Sequence, residues 1–251
     1  MGISDVFDFL TNGDQWHGKE GIPTLTMQHL QLTVVSVLIA ALIALPIGVV
    51  LGHVRTGGVI AVNIANIGRA LPALALLILA VQWVGIGDPT GILTPVQSIP
   101  AFVAMVALAA PPMLANAYVG MASVDDEIRE SARGMGMNGR QMIWRIELPN
   151  AMPLVMAGVR TATVAVVATA TLAALVDSGG LGRYIVDGKA VQDNAKVFAG
   201  GLLVALLALA LDGLLALVQR AITSPGIRTK ERIKVRDMAT DRLAPNTGAA
   251  L

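Results

Sequence analysis

The chain has 251 residues, of which 55% are hydrophobic and only 14% are charged, and its mean hydropathy is +0.68. Soluble domains carry about 25% charged residues, so a soluble globule of this size would lack the charges needed to cover its apolar surface. The composition excludes an ordinary cytoplasmic enzyme, a disordered protein and a fibrous repeat, and it indicates a multispanning membrane protein.

Charge and residue usage remove several further classes of function. A net charge of +1 argues against a nucleic-acid partner, because phosphate binding needs a clustered basic surface. The chain contains no cysteine, which excludes disulfides and thiolate chemistry, and its three histidines lie too far apart to form a metal-binding pattern. The first ten residues hold Asp5 and Asp8 but no basic residue, which is not the pattern of a signal peptide.

The N-terminal segment, 1–27, is predicted to be extracytoplasmic. Ile3, Val6, Phe7 and Leu10 follow the i, i+3, i+4, i+7 spacing of one helical face. This stripe predicts a short helix lying on the outer membrane surface, and a frayed terminus is the alternative.

Five apolar runs are long enough to cross about 30 Å of hydrocarbon as helices. Their length and their content of Ala and Leu favour helices over strands, and the backbone of a helix satisfies its own hydrogen bonds in lipid. Prolines within these runs predict kinks. The predicted spans are 32–51, 59–84, 100–121, 151–176 and 197–219.

Lysine and arginine in the connecting segments predict the orientation of the spans. With the N-terminus outside, the inside segments 52–58, 123–149 and 220–251 hold 12 basic residues, whereas the outside segments hold 4. We therefore expect an external N-terminus and a cytoplasmic C-terminus.

Segment 123–149 is the one long inside loop, and its residues predict two helices. Ser123 and Asp126 have the spacing of a capping box, which predicts a first helix over 124–135 that ends near Gly134 and Gly136. The second helix is expected to be capped by Asn138 with Gln141 three residues later, and to end at Leu148-Pro149. A charged loop of this kind is otherwise often only a solvated surface.

Here the loop resembles the EAA loop of the permeases of binding-protein-dependent ABC importers. The family pattern is E-A-A-x3-G-x9-I-x-L-P. This chain matches it with correct spacing and departs from it only at Ser131, a small residue in place of Ala. The matching residues are Glu130, Ser131, Ala132, Gly136, Ile146, Leu148 and Pro149.

Further stretches resemble osmoprotectant permeases, which carry glycine betaine, carnitine or choline. They are 69–75, 158–163, 168–174 and the Ser-Gly-Gly-Leu-Gly run at 178–182. Related methionine and sulfonate permeases share the Gly-Gly-Leu-Gly run, so an importer of methionine, another amino-acid-like solute or a sulfonate is an open alternative.

The resemblance implies an all-α integral membrane protein with the transmembrane domain of a type I ABC importer, similar to a methionine permease, over 28–222. It implies a bacterial cell-membrane location, a second permease subunit (a copy or a paralogue), separate ATPase subunits and an extracytoplasmic substrate-binding protein. The chain has no phosphate-binding Gly-x4-Gly-Lys-Ser/Thr motif, so we expect no enzymatic activity and no bound cofactor. ATP and magnesium would be used by the partner ATPase, and 223–251 would form a cytoplasmic tail.

The matching loop residues are therefore expected to couple the permease to the ATPase. Glu130 would offer a carboxylate to the partner, Ser131 and Ala132 would permit close approach, and Gly136 would permit a sharp turn. The last three motif residues would anchor the second helix to the membrane core. A solvated helix surface is the alternative for Glu130.

Polar residues within the spans are candidates for the translocation path. The candidates on the fourth span are Arg160, Thr163, Thr169 and Thr171. Packing of small residues in the core is the alternative for the threonines. A structural role is the alternative for the intramembrane charges Arg69, Arg160 and Asp212, with Asp212 pairing with one of the arginines.

Two other classes of function stay open on the residues alone. A stand-alone channel or secondary transporter would need coupling-ion carboxylates within its spans, and Asp212 is the only clear one. An integral-membrane enzyme would need a cluster of His, Glu or Asp at a membrane face, and the sequence offers none.

Overall fold

The computed structural model describes residues 3–84, 99–176 and 179–223, and all regular structure within these ranges is helical. The α-helices are α1 (Ile3–Thr11), α2 (Ile22–Val54), α3 (Gly58–Ala70), α4 (Ala73–Val84), α5 (Ile99–Ala122), α6 (Asp126–Gly134), α7 (Gly139–Met142), α8 (Leu148–Ala170), α9 (Gly182–Ala190) and α10 (Asn194–Ile222). Shorter 3-10 turns cover Gly13–Trp16 and Thr171–Val176, and a π-helical turn covers Ile143–Glu147. The predicted all-α class is confirmed.

Four of the five predicted spans correspond to long continuous helices. Three of them lie in α2, α5 and α10. The other lies in the continuous helical stretch Gly139–Val176, which consists of α7, the π turn, α8 and the 3-10 turn that follows it. The second predicted span, 59–84, is not one straight helix, since α3 and α4 meet at an angle of 90°. Pro72 explains the break, because it has no amide hydrogen and forces Leu71 before it into an extended conformation with ψ 121°. The described part of the bundle therefore has four continuous helices long enough to span a membrane and one bent pair of helices.

Helix α5 lies at the centre of the bundle, where it packs against α2, α3, α4 and α8. Two glycines one turn apart bring α2 close to it: a β-carbon on Gly48 or Gly52 would lie within 2.7 Å of atoms of α5. Close approach through small residues is typical of membrane helices. Helices α2 and α5 both continue through their internal prolines, Pro46 in the first and Pro111 and Pro112 in the second.

The loop over 123–149 forms two helices, but its boundaries differ from the prediction. The first helix begins at Asp126, because the side chain of Asp125 caps it by accepting from the Glu127 amide. Ser123 instead donates to the carbonyl of Gly120 at the end of α5. The end of the bundle at which this loop lies is called the loop end below, and the other is called the opposite end.

The second loop helix does not end at Leu148-Pro149, as the sequence predicted. The capping box of Asn138 and Gln141 is confirmed, with both hydrogen bonds at 2.9 Å. Helix α7 then runs through the π turn directly into α8. Pro149 has no amide hydrogen to bond one turn back, and the wider π turn before it, closed by the Leu148 amide on the Ile143 carbonyl, lets the helix continue.

Two short helices cover the opposite end. The predicted helix α1 is confirmed, and it packs against α10 through a cluster that includes Leu10. Phe9 meets the ring of Tyr184 edge-on at 5.6 Å between centroids. Tyr184 belongs to α9, which the sequence did not predict. The predicted tail over 223–251 lies outside the described residues except for Thr223.

Candidate functional site

Three of the EAA-like residues lie on α6, two on its outer side and one on its inner side. Glu130 and Ser131 are exposed, and no side-chain partner of Glu130 is present in the described part of the chain. Ile128 and Met135, which flank them, are 38% and 70% exposed although both are apolar. Ala132 is 1% exposed, so its methyl group packs within the chain itself. The outer side of α6 thus exposes two apolar side chains among charged residues of both signs, which include Glu127, Glu130 and Arg133.

Gly136 ends α6 in a Schellman motif. Its φ is +79°, a left-handed value that favours glycine. The Gly136 amide donates to the Arg133 carbonyl at 2.9 Å, and the Met137 amide donates to the Ala132 carbonyl at 3.2 Å. These are the paired bonds that close a helix in this motif, so the turn predicted at Gly136 is present.

The last three EAA-like residues lie where the loop enters the bundle. Ile146 belongs to the π turn, and Leu148 and Pro149 open α8; all three are half-buried. Leu148 packs against a cluster of α5 and α8 side chains that includes Met121 and Val155.

A buried group of charges, not anticipated from the sequence, lies behind α6. The Glu147 side chain is completely buried in the π turn. Its Oε1 lies 2.5 Å from Nη2 of Arg129 on α6, whose side chain is 4% exposed. Its Oε2 lies 2.6 Å from Nδ1 of His53 in the last turn of α2. Arg129 Nη2 also donates to the His53 carbonyl at 2.7 Å. We call Arg129, Glu147 and His53 the buried charge cluster.

A second contact between α2 and the loop lies outside this cluster. Arg55, the C-cap of α2, forms an ion pair with Asp126, and its Nη2 donates to the Val124 carbonyl at 2.6 Å. The Arg55 side chain is 35% exposed and that of Asp126 is 70% exposed, so water surrounds much of this pair.

A third charged contact joins α8 and α10 within the spans. Arg160 Nε and Nη2 donate to the two carboxylate oxygens of Asp212 at 2.9 and 2.8 Å, and Nη1 donates to Gln219 at 3.1 Å. The pairing of Asp212 with an intramembrane arginine is therefore confirmed. The Arg160 and Asp212 side chains remain about one third exposed, at the edge of an open groove of about 430 Å³ that Thr161 and Val164 also line. Arg69 lies in the last turn of α3, and its side chain is outside the described part of the structure.

The threonines of the fourth span face different directions. Thr163 is 4% exposed and its hydroxyl donates to the Val159 carbonyl, so it points into the chain's own core. Thr169 is half-buried, and Thr171 is half-buried in the 3-10 turn, with its hydroxyl on the Ala168 carbonyl. Thr161, on the same span, is exposed on the groove.

The Gly-Gly-Leu-Gly run has a structural role at the opposite end. The Gly180 amide donates to Gln28 Oε1 at 3.0 Å, and the neighbouring His29 ring, fully buried, lies 3.0 Å from the Val167 carbonyl. Just beyond the run, the Tyr184 hydroxyl donates to the Glu20 carbonyl at 2.7 Å. Burial, with a smaller contribution from the charge of Glu20, raises the pKa of Tyr184 and keeps it a donor. Ser178 lies outside the described residues.

Among the described residues, no group of three or more His, Cys, Asp or Glu side chains is placed to hold a metal ion.

Comparison with known proteins defines the class to which this helical bundle belongs. A chain of the inward-facing methionine ABC transporter MetNI matches it with a TM-score of 0.67 and 23% identity, covering 81% of this chain and 96% of that one. A chain of an amino acid ABC transporter matches with a TM-score of 0.62 and 18% identity. The fold is thus that of a type I ABC importer permease, as the motifs predicted.

Sequence comparison gives the family. Residues 25–224 match the family described as binding-protein-dependent transport system inner membrane component, and the chain belongs to it. A glycine betaine/carnitine/choline transport system permease of Bacillus subtilis is 32% identical over 92% of this chain and 100% of its own length. A choline transport system permease of the same organism is 34% identical, covering 82% and 91%. An osmoprotectant import permease of Salmonella typhimurium is 36% identical, covering 79% and 81%. The predicted resemblance to osmoprotectant permeases is confirmed.

Proposed function

We propose that this chain is the membrane-spanning permease subunit of an ATP-driven importer of osmoprotectants such as glycine betaine, choline and carnitine. The observation that carries the proposal is the extent of its similarity to permeases of that name, which reaches 92% of the chain in one case. The chain forms the translocation path, and a separate ATPase subunit hydrolyses ATP with magnesium. A second permease subunit and an extracytoplasmic binding protein complete the importer.

The outer face of α6 is the ATPase docking surface in this proposal. It consists of Glu130 and Ser131 with the exposed apolar residues Ile128 and Met135. Exposed apolar side chains bordered by charges are typical of a surface that a partner covers. Methionine adapts its shape to such a partner. The partner is expected to supply an apolar groove with a basic group facing Glu127 and Glu130, and an acidic group or backbone acceptor facing Arg133.

The groove beside Arg160 and Asp212 faces the translocation path or the second permease subunit. Arg160 lies twelve residues into α8, about 18 Å along it at 1.5 Å per residue, so the pair lies deep within the spans. Charged groups facing lipid at that depth are costly. A pair that is one third exposed in the isolated chain therefore faces protein or water rather than lipid. Thr161 lies on this polar side, whereas the burial of Thr163 argues for a packing role. Thr169 and Thr171, which do not line the groove, remain proposed path residues on other parts of the helix surface.

The loop end is cytoplasmic and the opposite end is extracytoplasmic in this proposal. The distribution of 12 basic residues against 4 supports this orientation, and so does the docking surface on α6, because ATP is available in the cytoplasm. The binding protein then docks at the end that carries α1 and α9.

Uptake into proteoliposomes tests the proposal. Vesicles would contain the permease, its ATPase and the binding protein, with labelled glycine betaine, choline or methionine outside. We expect ATP-dependent uptake of glycine betaine and choline, and none of methionine. Uptake of methionine alone would reassign the substrate within the same architecture, whereas uptake without ATP would indicate a channel or secondary transporter.

A further inference from the structure

The buried charge cluster joins three helices at one carboxylate. Arg129 comes from α6, Glu147 from the π turn that leads into α8, and His53 from the last turn of α2. We propose that this cluster transmits the movement of α6 to α2 and α8, which makes Glu147 a positioning residue for transport. The inference rests on the proposed function, because it takes α6 as the helix that the ATPase moves.

The geometry of the cluster links its three helices tightly. Arg129 Nη2 reaches both the carboxylate, at 2.5 Å, and the His53 carbonyl, at 2.7 Å, so one nitrogen contacts two different helices. Because an ionised carboxylate only accepts, the 2.6 Å contact from His53 Nδ1 to Glu147 is donated by the ring. Each oxygen of the carboxylate therefore contacts a different helix.

Burial makes these contacts hard to exchange. The Glu147 side chain is completely buried and that of Arg129 is 4% exposed, so water cannot replace either partner of this ion pair when the other moves away. The His53 side chain is 23% exposed. A buried charge that loses its partner is strongly unfavourable. Displacement of α6 relative to α2 or the π turn would create such a charge, so we infer that the three elements move together.

The exposed contact between the same elements is a natural comparison. Arg55 and Asp126 also connect α2 with α6, but their side chains are 35% and 70% exposed. Exposed pairs contribute little, because water solvates both charges when they separate. This pair therefore adds little to transmission, and it supplies a matched control.

Docking and transmission use different sides of α6. Glu130 is exposed on the proposed docking surface, whereas Arg129, the preceding residue, points into the chain. Neighbouring residues on a helix point about 100° apart, which permits this division. A substitution in the cluster is thus expected to leave the docking surface intact. It would prevent only the transmission of the movement of α6 to α2 and α8.

Three variants test the inference in the reconstituted importer. Glu147→Gln keeps the shape of the side chain and removes its charge. The double variant, Arg129→Gln with Glu147→Gln, removes both charges and leaves neither Arg129 nor Glu147 as an unpaired buried ion. It tests the inference even if the single variant fails to insert into the membrane. Arg55→Gln with Asp126→Asn is the exposed control. For each, ATPase co-purification, ATP hydrolysis, thermal stability and solute uptake are measured in the same preparation.

We expect both cluster variants to retain the ATPase and to hydrolyse ATP, but to transport at least about tenfold fewer solute molecules per ATP than the wild type. The double variant should regain thermal stability relative to Glu147→Gln without regaining transport per ATP. The exposed control should resemble the wild type in every measurement. Wild-type transport per ATP in either cluster variant, or loss of ATPase binding in parallel with transport, would overturn the inference. Absence of ATP-dependent uptake by the wild type would instead refute the proposed function.

Discussion

Gly136 combines a left-handed backbone with open space around its α-carbon. Its φ is +79°, and no heavy atom beyond its two chain neighbours lies within 4 Å of where a β-carbon would be. Any side chain would therefore act through backbone strain alone and not through a clash. Gly134, two residues earlier, has the same open surroundings without a positive φ, which makes it a matched control.

We predict that Gly136→Ala destabilises the chain by about 1–2 kcal/mol, the cost of a left-handed conformation for a residue with a β-carbon. Gly134→Ala should be neutral or stabilising by up to about 1 kcal/mol, because it replaces glycine inside a helix. Thermal unfolding in detergent would measure both. Equal melting temperatures for the two variants would argue against the left-handed turn.

Asp212 is predicted to influence selectivity between a cationic and a zwitterionic solute. In Asp212→Asn, the Arg160 guanidinium loses its bidentate carboxylate and adds a positive charge to the groove. Choline is a cation without a carboxylate, so its uptake should fall about tenfold more than that of glycine betaine. This tenfold change in the ratio of the two uptake rates corresponds to about 1.4 kcal/mol.

The companion variant for this prediction is Arg160→Gln with Asp212→Asn, which removes both charges. It should restore the wild-type ratio of the two uptake rates even if both rates fall. Equal losses of choline and glycine betaine uptake in Asp212→Asn would assign the pair a purely structural role.

At the scale of elements, α6 should bind the ATPase through its exposed side. Glu130→Ala removes a carboxylate that makes charge-assisted hydrogen bonds in a partly desolvated interface, which contribute about 1.5–3 kcal/mol. We predict that the variant inserts normally and loses most ATPase on co-purification. Asp14 is an exposed carboxylate at the opposite end, so the Asp14→Ala variant should retain wild-type amounts of ATPase. If the Glu130→Ala variant retained wild-type amounts of ATPase, this face of α6 would not be the docking surface.

The sequence predicted those elements that local chemistry determines. Hydropathy located the spans, and the turn at Gly136 followed from residue type. At Pro72 the sequence predicted a kink within one helix, whereas the structure has two separate helices that meet at 90°. The π turn was missed, since nothing in its own residues distinguishes it from an α-helix; it exists to accommodate Pro149 beyond it.

The buried charge cluster was missed for a different reason. His53 and Glu147 are 94 residues apart, and each resembles an ordinary loop residue in sequence. Only the packing of α2 against the start of α8 brings them together. Among the motif residues, the sequence did not show that Ser131 is exposed and Ala132 buried, because a motif gives spacing and not the direction of a side chain.

At the scale of the whole molecule, the proposed orientation predicts which end faces the cytoplasm. The chain has no cysteine, so single cysteines can be introduced at exposed sites. Asp14→Cys should react with a membrane-impermeant thiol reagent in intact cells. Arg140→Cys, exposed on the loop, should react only after permeabilisation. The reverse pattern would place the loop outside and separate it from ATP.

The proposed function requires that the loaded binding protein stimulate ATP hydrolysis through this permease. ATP hydrolysis would be measured in proteoliposomes with binding protein carrying glycine betaine, with empty binding protein, and with permease bearing Glu130→Ala. We predict that the loaded binding protein stimulates hydrolysis with the wild-type permease and that this stimulation is lost with the variant. Hydrolysis that is indifferent to glycine betaine, or equally stimulated with Glu130→Ala, would contradict it.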